Sequence, residues 1–268
     1  MTRQYTSRTD RVRILILLEK KHSLSTEEFQ HYFLNVHSKI VAKFAEGKDG
    51  LIKYEQLHVN QEERAFIKDM GQTVPNYDGV TLFDFESFDK FEAFFSSSEY
   101  ISDIGSDIER FLHTTTALVL RLNIVPIIDP EVHVSRLSLN QISKDRATAL
   151  FGFTRKEGIS REEMRTHWLN SHAKVVCSET RMGREIIKYE QLHLATECPI
   201  RRLNESSMDL PNWDGLALIH APSFQTFRHL EDVKALAKDN AKFLAPGKLW
   251  VLPVNSATII DNSVASNI

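Results

Sequence analysis

The chain contains an internal duplication, and this feature constrains its fold more than any other. A shift of 135 positions superimposes residues 12–58 on residues 147–193 without a gap, and 17 of these 47 positions are identical. The segment from Ile52 to His58 recurs letter for letter from Ile187 to His193. Because each copy extends over about 115 residues, it is too long for a solenoid repeat and has the size of a domain. The sequence therefore predicts two related domains in one chain.

The repeat also suggests where the domains begin and end. We expect a first unit at residues 1–129, a linker at 130–145, a second unit at 146–261 and a tail at 262–268. The linker sequence is polar and lacks glycine, which favours a segment that crosses between the units rather than a highly flexible one.

Each unit shows the same succession of strand and helix signals. An apolar run at Val12–Leu18 is typical of a buried strand, and Ser25 with Glu28 forms a capping box that begins a helix. Two strands are predicted next, at Leu51–His58 and Val80–Phe85. A helix that begins at Ser87 and a last strand at Ala117–Val125 complete the unit. This order predicts an α+β fold in which two ferredoxin-like βαββαβ repeats are fused into a pseudo-dimeric α+β barrel, because each sheet has one face that its helices leave uncovered.

Composition excludes several classes of partner. The formal net charge is −3, and the 33 basic and 36 acidic residues are mixed along the chain, so no basic stripe for nucleic acid is present. The longest apolar run, Ile14–Leu18, is too short to cross a bilayer. Two cysteines and a polar beginning favour a reduced, cytoplasmic setting. We expect no nucleic-acid or membrane partner, and a monomer or weak homodimer.

Two histidines occupy equivalent positions on the predicted apolar face of the first helix. His37 follows Phe29 and Phe33 at helical spacing, and His172 follows Met164 and Trp168 in the second unit. One interpretation is a buried, hydrogen-bonded histidine. The other is a pocket residue, since an imidazole can transfer protons near neutral pH.

The identical strand carries a second group of candidates. Tyr54, Gln56 and His58 alternate along the strand and therefore share one face, which we place beside the helices. The copies are Tyr189, Gln191 and His193. Such a set could stabilise an enolate oxygen beside an apolar cavity. The alternative is that the identity merely preserves the seam between the two sheets. Lys53 and Glu55 could then pair with Glu190 and Lys188 across the pseudo-twofold axis.

Further candidates come from the loops and from the first helix. Asn35 and Asn170 recur two residues before the histidines, Trp168 lies on the apolar face, and Trp213 stands in a turn where it could cover a pocket mouth. His167 and His172 are five residues apart, about 140° around an α-helix, so we expect them to diverge. No motif for a metal or phosphate site is present, and we predict neither a metal nor a cofactor.

The unit resembles the EthD family of dimeric α+β barrel proteins. The resemblance rests on Ser-x-Glu-Glu, on the segment from His167 to Ala173, on Tyr189-x-Gln191 and on Asp78-Gly79-Val80. Unit one departs from the pattern, because Tyr32-Phe33 replaces His-Trp. Tandem members resemble fungal proteins of secondary metabolism, and the resemblance implies dehydratase, cyclase, decarboxylase or cofactor-independent oxygenase activity.

Together these features predict a cofactor-independent enzyme that acts on an aromatic or polyketide-like, hydrophobic small molecule. The expected reaction is of the lyase or cyclase type: dehydration, cyclisation or decarboxylation. His37 or His172 would be the acid or base, and Tyr54 or Tyr189 would stabilise the oxyanion. Two alternatives stay open at this point, a non-catalytic protein that binds hydrophobic small molecules and a cofactor-free oxygenase.

Overall fold

An antiparallel barrel of eight strands forms the centre of the molecule. The computed structural model describes residues 5–129, 139–143, 145–197, 200–203 and 210–263. Around the barrel the strands follow the order β1-β3-β2-β9-β5-β8-β6-β4, and pairing of β4 with β1 closes it. The strands of the first half are Val12–Leu18 (β1), Leu51–Val59 (β2), Gly79–Phe85 (β3) and Leu118–Ile128 (β4). Those of the second half are Ala147–Arg155 (β5), Lys188–Leu194 (β6), Ile200–Arg202 (β7), Gly215–Ala221 (β8) and Leu244–Asp261 (β9).

The two halves of the chain are joined by hydrogen bonds at two seams of the barrel. Strand β4 of the first half pairs with β6 of the second, where Val125 faces Gln191. Strand β9 of the second half pairs with β2 of the first, where Ala257 faces Gln56. The short strand β7 pairs with β4 beyond the end of β6. The predicted mixed α+β barrel is therefore confirmed, and neither half forms a closed sheet by itself.

The helices pack on the outside of the barrel. Both predicted capping boxes are present, at Ser25 with Glu28 and at Ser160 with Glu163, and Ser87 caps its helix through its side chain. The α-helices are Thr26–Tyr32 (α1), Ser38–Ala45 (α2), Gln61–Asp69 (α3), Phe88–Phe95 (α4), Ser106–Phe111 (α5), Arg161–Thr166 (α6), Met182–Glu185 (α7) and Leu230–Phe243 (α8). The sequence did not predict α3 or β7. Across the described ranges no helix is long and apolar enough to cross a membrane.

Segments of π-helix interrupt the first helix in both halves. They extend over Phe33–His37 and His167–His172. Each wide turn inserts an extra residue, so the apolar face shifts by one position beyond the histidine. The structure accordingly buries Val41 and Val176, one residue after the positions that α-helical spacing predicts.

The barrel interior is apolar at one end and charged at the other. Leucines fill the apolar end. At the other end the Arg13 guanidinium donates to Asp84 Oδ1 at 2.6 Å and to Glu190 Oε2 at 2.5 Å, and all three side chains are buried. Lys53 and Glu55 lie on the face of strand β2 opposite Tyr54, Gln56 and His58, as both interpretations of the identical strand required. The suggested pairs of Lys53 with Glu190 and of Glu55 with Lys188 across the pseudo-twofold are wrong. Each lysine pairs within its own strand, at 3.0 Å for Lys53 and 2.9 Å for Lys188 with Glu190.

Part of the predicted linker is visible beside the barrel. The backbone N–H of Asn140 donates to Thr258 O at 2.9 Å, and Ile142 forms a bridge with Ala257. Residues 130–138 and 144 of the linker, and residues 264–268 of the predicted tail, lie outside the described residues. The domain boundaries stay a prediction.

Candidate functional site

A cavity of about 350 Å³ opens on the outer face of the barrel in the second half. It lies between strands β5, β8 and β9 and the helices of that half, and its walls are mainly apolar. Ligand pockets in proteins commonly have this size and character, with a few polar groups that orient the ligand. Its lining includes Ala149, Trp168, His172, Tyr189, Ile219 and Phe243.

Helix α3 of the first half covers the edge of this cavity. Phe66 and Met70 line it and are 38% and 56% exposed. Glu63 accepts two hydrogen bonds from Arg228 Nη2, at 2.7 and 2.6 Å, and the Arg228 guanidinium lies 3.9 Å from the centre of the Phe66 ring. Both halves of the chain therefore build the cavity of the second half.

His172 lines the cavity and has a buried aspartate as its partner. Its Nδ1 lies 2.9 Å from Asp239 Oδ2, and Asp239 is 3% exposed. Since a carboxylate only accepts hydrogen bonds, the proton of this contact is on Nδ1 of the imidazole. In the neutral tautomer of the ring, Nε2 is then the nitrogen that can accept a hydrogen bond.

Three cationic or imidazole groups surround Asp239. Besides His172, His167 Nε2 lies 3.1 Å and Lys242 Nζ 3.0 Å from Oδ1. Burial alone raises the pKa of Asp239, but the hydrogen bonds from His172 and Lys242 outweigh it and hold the pKa well below its usual range. Asp239 is therefore a carboxylate at any pH at which the protein would work.

The expectation that His167 and His172 diverge is wrong. It assumed α-helical geometry, in which five residues turn by about 140° beyond a full turn. The segment is a π-helix, in which residue i is hydrogen-bonded to residue i+5 and the two lie on the same side. As a result both imidazoles contact one carboxylate.

The predicted tyrosine, glutamine and histidine of strand β6 form one buried network. Gln191 Nε2 donates to Trp168 O at 2.8 Å and to the Tyr189 hydroxyl at 3.2 Å. Gln191 Oε1 accepts from His193 Nε2 at 3.2 Å. Burial, followed by the charge of Arg165, lowers the pKa of His193 to about 4, so it is neutral at pH 7. The network fixes the strand to the π-helical turn.

Tyr189 is the member of the network that reaches the cavity. Burial raises the pKa of its phenol well above the usual range, so the hydroxyl keeps its proton. The hydroxyl oxygen accepts from Gln191, so that contact does not use the proton of the phenol.

The first half repeats these polar contacts. His37 Nδ1 lies 2.7 Å from Asp107 Oδ2, and the Tyr32 hydroxyl donates to Asp107 Oδ1 at 2.6 Å. Gln56 donates to Phe33 O and to the Tyr54 hydroxyl at 2.8 and 2.7 Å. Tyr32 thus takes the place of His167.

Aromatic side chains fill the corresponding space of the first half. Phe83 faces Ile14 and Tyr54 in neighbouring strands, and its ring stacks on Tyr54 with centroids 4.6 Å apart. The equivalent residue of the second half, Ile219, faces Ala149 and Tyr189. The second half is thus smaller at two positions, with isoleucine for phenylalanine and alanine for isoleucine. This difference explains the cavity there.

The remaining sequence candidates lie away from the cavity. Asn35 and Asn170 lie in the π-helical segments and are exposed on the helix surface. Trp213 packs against Trp250 at 5.2 Å between ring centroids, beside the apolar end of the barrel interior, and does not cover the cavity. His58 is buried and bonded to Gln56 Oε1 at 3.2 Å.

Sequence reasoning missed the two aspartates that hold the histidines. The signal was present, because a shift of 132 positions superimposes Asp107 on Asp239 and Phe111 on Phe243. Both phenylalanines contact the histidine of their half. Over the part of the chain that the structure describes, no group of three or more histidine, cysteine, aspartate or glutamate side chains is arranged to hold a metal ion.

The model of the EthD domain matches residues 21–115 and 156–247. The chain belongs to the EthD domain family. It carries two copies of the domain, and the His–Asp pair of each half lies within a matched segment. No curated protein sequence matches the chain.

Several solved structures share the fold at low identity. An anthrone oxidase-like protein aligns with a TM-score of 0.61 and 10% identity over 97% of this chain and 98% of its own. A proposed monooxygenase from Fusobacterium nucleatum aligns at 0.55 and 7% identity over 93% of both chains. One from Lactobacillus acidophilus aligns at 0.52 and 9% identity over 93% of this chain and 97% of its own. These similarities show a shared fold.

Proposed function

We propose that this EthD protein is a cofactor-independent enzyme for an aromatic or polyketide-like small molecule, with its active site in the cavity of the second half. The observation that carries the proposal is the His172–Asp239 pair in the wall of an apolar cavity. A buried carboxylate that orients an imidazole is the arrangement by which proteins prepare a histidine for proton transfer.

His172 would act as the general base. Asp239 holds the proton on Nδ1, so Nε2 is free to remove a proton from carbon beside a carbonyl group. The imidazolium that forms would be stabilised by the carboxylate 2.9 Å away. Lys242 and His167 contact the same carboxylate and help to hold it in place.

Tyr189 would stabilise the product of that step. Its neutral hydroxyl can donate to the oxygen on which enolate charge develops, and the apolar walls strengthen this hydrogen bond by excluding water. In a dehydration, the enolate would then break the β carbon–oxygen bond. The imidazolium would return its proton to the departing hydroxyl, which leaves as water. Cyclisation would begin from the same enolate.

We also infer that each half is a ferredoxin-like unit and that the two arose by duplication. The support is the repeated succession of strand, helix, strand, strand, helix and strand, the repeated π-helical turn and the repeated His–Asp pair. In this interpretation the first half kept the framework and lost the space, and the second half carries the activity. A role in secondary metabolism, of the fungal type, belongs to this proposal.

Two other functions share the same cavity. The apolar lining and the exposed Phe66 and Met70 at its edge favour a protein that binds a hydrophobic molecule without changing it. Two structural neighbours carry the word monooxygenase in their names, so oxygenation of a deprotonated substrate is the other alternative.

Exchange of a carbon-bound proton tests the proposal without knowledge of the natural substrate. Anthrone is a suitable probe, because it is a flat aromatic ketone with an acidic carbon–hydrogen bond. In D₂O without oxygen we expect the protein to catalyse deuterium exchange at that carbon. His172→Ala should slow it by about 100-fold or more, the usual contribution of a general base.

His37→Ala is the matched control, because it removes the same side chain from the filled half. It should leave the exchange rate unchanged. Equal rates for the wild type and His172→Ala would refute the acid–base proposal. Binding of anthrone without exchange would identify a binding protein, and oxygen consumption that depends on His172 would identify an oxygenase.

A further inference from the structure

A second, polar groove adjoins the apolar cavity. It has a volume of about 550 Å³ and is lined by residues of β2–α3, the described linker, the β8–α8 connection and β9. Glu63, Phe224 and Arg228 line both spaces, so the ion pair of Glu63 with Arg228 stands at their boundary. A molecule that fills the cavity and extends past this pair would enter the groove.

The charges of the groove favour an anion. Its charged lining residues are Arg146, Arg228 and Glu63, and the aspartate that pairs with Arg146, Asp145, does not line the groove. Arg228 donates from Nη2 to Glu63, while its buried Nε has no hydrogen-bond partner. Asn60, Gln225 and Asn255 add amide groups to the lining, and Asn60 Oδ1 already accepts from the Glu63 N–H at 3.0 Å, so its amide hydrogens remain for a ligand.

Arg146 is the residue that an anion can recruit at little cost. Its side chain is 12% exposed and is held at 3.2 and 3.3 Å by Asp145, which is 70% exposed. An ion pair with such an exposed partner contributes little free energy. Arg146 can therefore exchange Asp145 for a ligand carboxylate with little loss of stability. A guanidinium also matches a carboxylate with two parallel hydrogen bonds.

We propose that the groove is a subsite for a carboxylate, and that the substrate is an amphipathic molecule with a flat apolar body in the cavity and a carboxylate group beside Arg146. The subsite rests on the proposed function, because it assumes that the cavity holds the reacting part. It would orient the substrate so that the reacting carbon faces His172 and the charged end remains outside the apolar walls.

Two probes that differ only in charge test this subsite. Anthracene-2-carboxylate carries the anion, and anthracene-2-carboxamide is its neutral counterpart, and fluorescence titration gives both dissociation constants. We expect the carboxylate to bind the wild type about tenfold more tightly, as a charge-assisted hydrogen bond allows. Higher ionic strength should weaken binding of the carboxylate alone.

Arg146→Gln should raise the dissociation constant of the carboxylate about tenfold and leave that of the carboxamide unchanged. Arg181→Gln is the matched control, since Arg181 is 68% exposed and lines neither space. It should change neither constant. Thermal denaturation of both variants confirms that they are folded.

Three results would overturn the subsite: no binding of the carboxylate, equal binding of the two probes by the wild type, or an equal loss for both probes in Arg146→Gln. His172→Ala separates this proposal from the catalytic one, because it should slow exchange on anthrone about 100-fold while the protein keeps its preference for the carboxylate over the carboxamide. Loss of exchange without any effect of Arg146 would leave the acid–base proposal standing alone.

Discussion

Ala149→Ile would transfer a residue of the filled half into the open one. Ala149 lines the cavity and is the counterpart of Ile14, since each faces the equivalent residue of its neighbouring strand. The change adds three carbon atoms to space that the protein already encloses. At about 0.8 kcal/mol for each buried methylene, it should raise the free energy of unfolding by up to about 2 kcal/mol. For a chain of this size that corresponds to an increase of about 4 to 8 °C in Tm.

The same substitution should weaken ligand binding, because the added side chain occupies the volume that the ligand needs. Calorimetric Tm and fluorescence titration with anthracene-2-carboxamide measure the two effects on one sample. The reverse change, Ile14→Ala, is the control in the packed half and should cost about 2 to 5 kcal/mol without any effect on binding. A lower Tm for Ala149→Ile would show that no free space adjoins this residue, and unchanged affinity would show that the ligand binds elsewhere.

Two further predictions concern stability. Glycine is required at position 152, because a Cβ there would lie 2.1 Å from Cζ2 of Trp250. Gly152→Ala should therefore lower the free energy of unfolding, measured by denaturant titration, by about 1 to 3 kcal/mol. Gly105→Ala is the control, since its Cβ would meet one atom at 3.9 Å, and equal stability of the two variants would refute this packing. Acid should also destabilise the protein, because burial holds three histidines neutral in the fold. In the unfolded chain a histidine binds a proton near pH 6.5, whereas these three stay neutral in the folded protein to a lower pH. The free energy of unfolding should therefore have its full value above about pH 6.5 and fall by several kcal/mol between that pH and about pH 4. A free energy of unfolding that does not change over this range would contradict the prediction. Burial lowers the pKa to about 4 in two of them and to about 3 in the third: His58, His193 and His220.

Much of the architecture could be predicted because its signals are local or repeated. The capping boxes at Ser25 and Ser160 define helix starts by side-chain chemistry within four residues. The alternation of Tyr54, Gln56 and His58 placed these residues on one face of a strand, and the structure finds them bonded to one another there. The repeat showed that the chain contains two units, which no single local pattern could show.

The functional site was less accessible for two physical reasons. The spacing of apolar residues does not reveal a π-helical turn, because the turn only moves the apolar face by one position. This turn is what brings His167 beside His172. The difference between the halves depends on volume at positions distant in sequence, such as Ala149 and Ile219. Both residues are apolar, as are their counterparts in the first half, so hydrophobic patterning treats the open and the filled half as alike.

The exchange of strand partners between the halves sets the order in which the molecule can assemble. Strand β2 obtains one of its two neighbours from β9, about 200 residues further along the chain. During synthesis the first half must therefore wait with an unpaired strand edge until β9 emerges, and such edges invite pairing with other chains. Folding of this protein should be slow, governed by long-range contacts, and prone to aggregation at the stage when only its first half is complete.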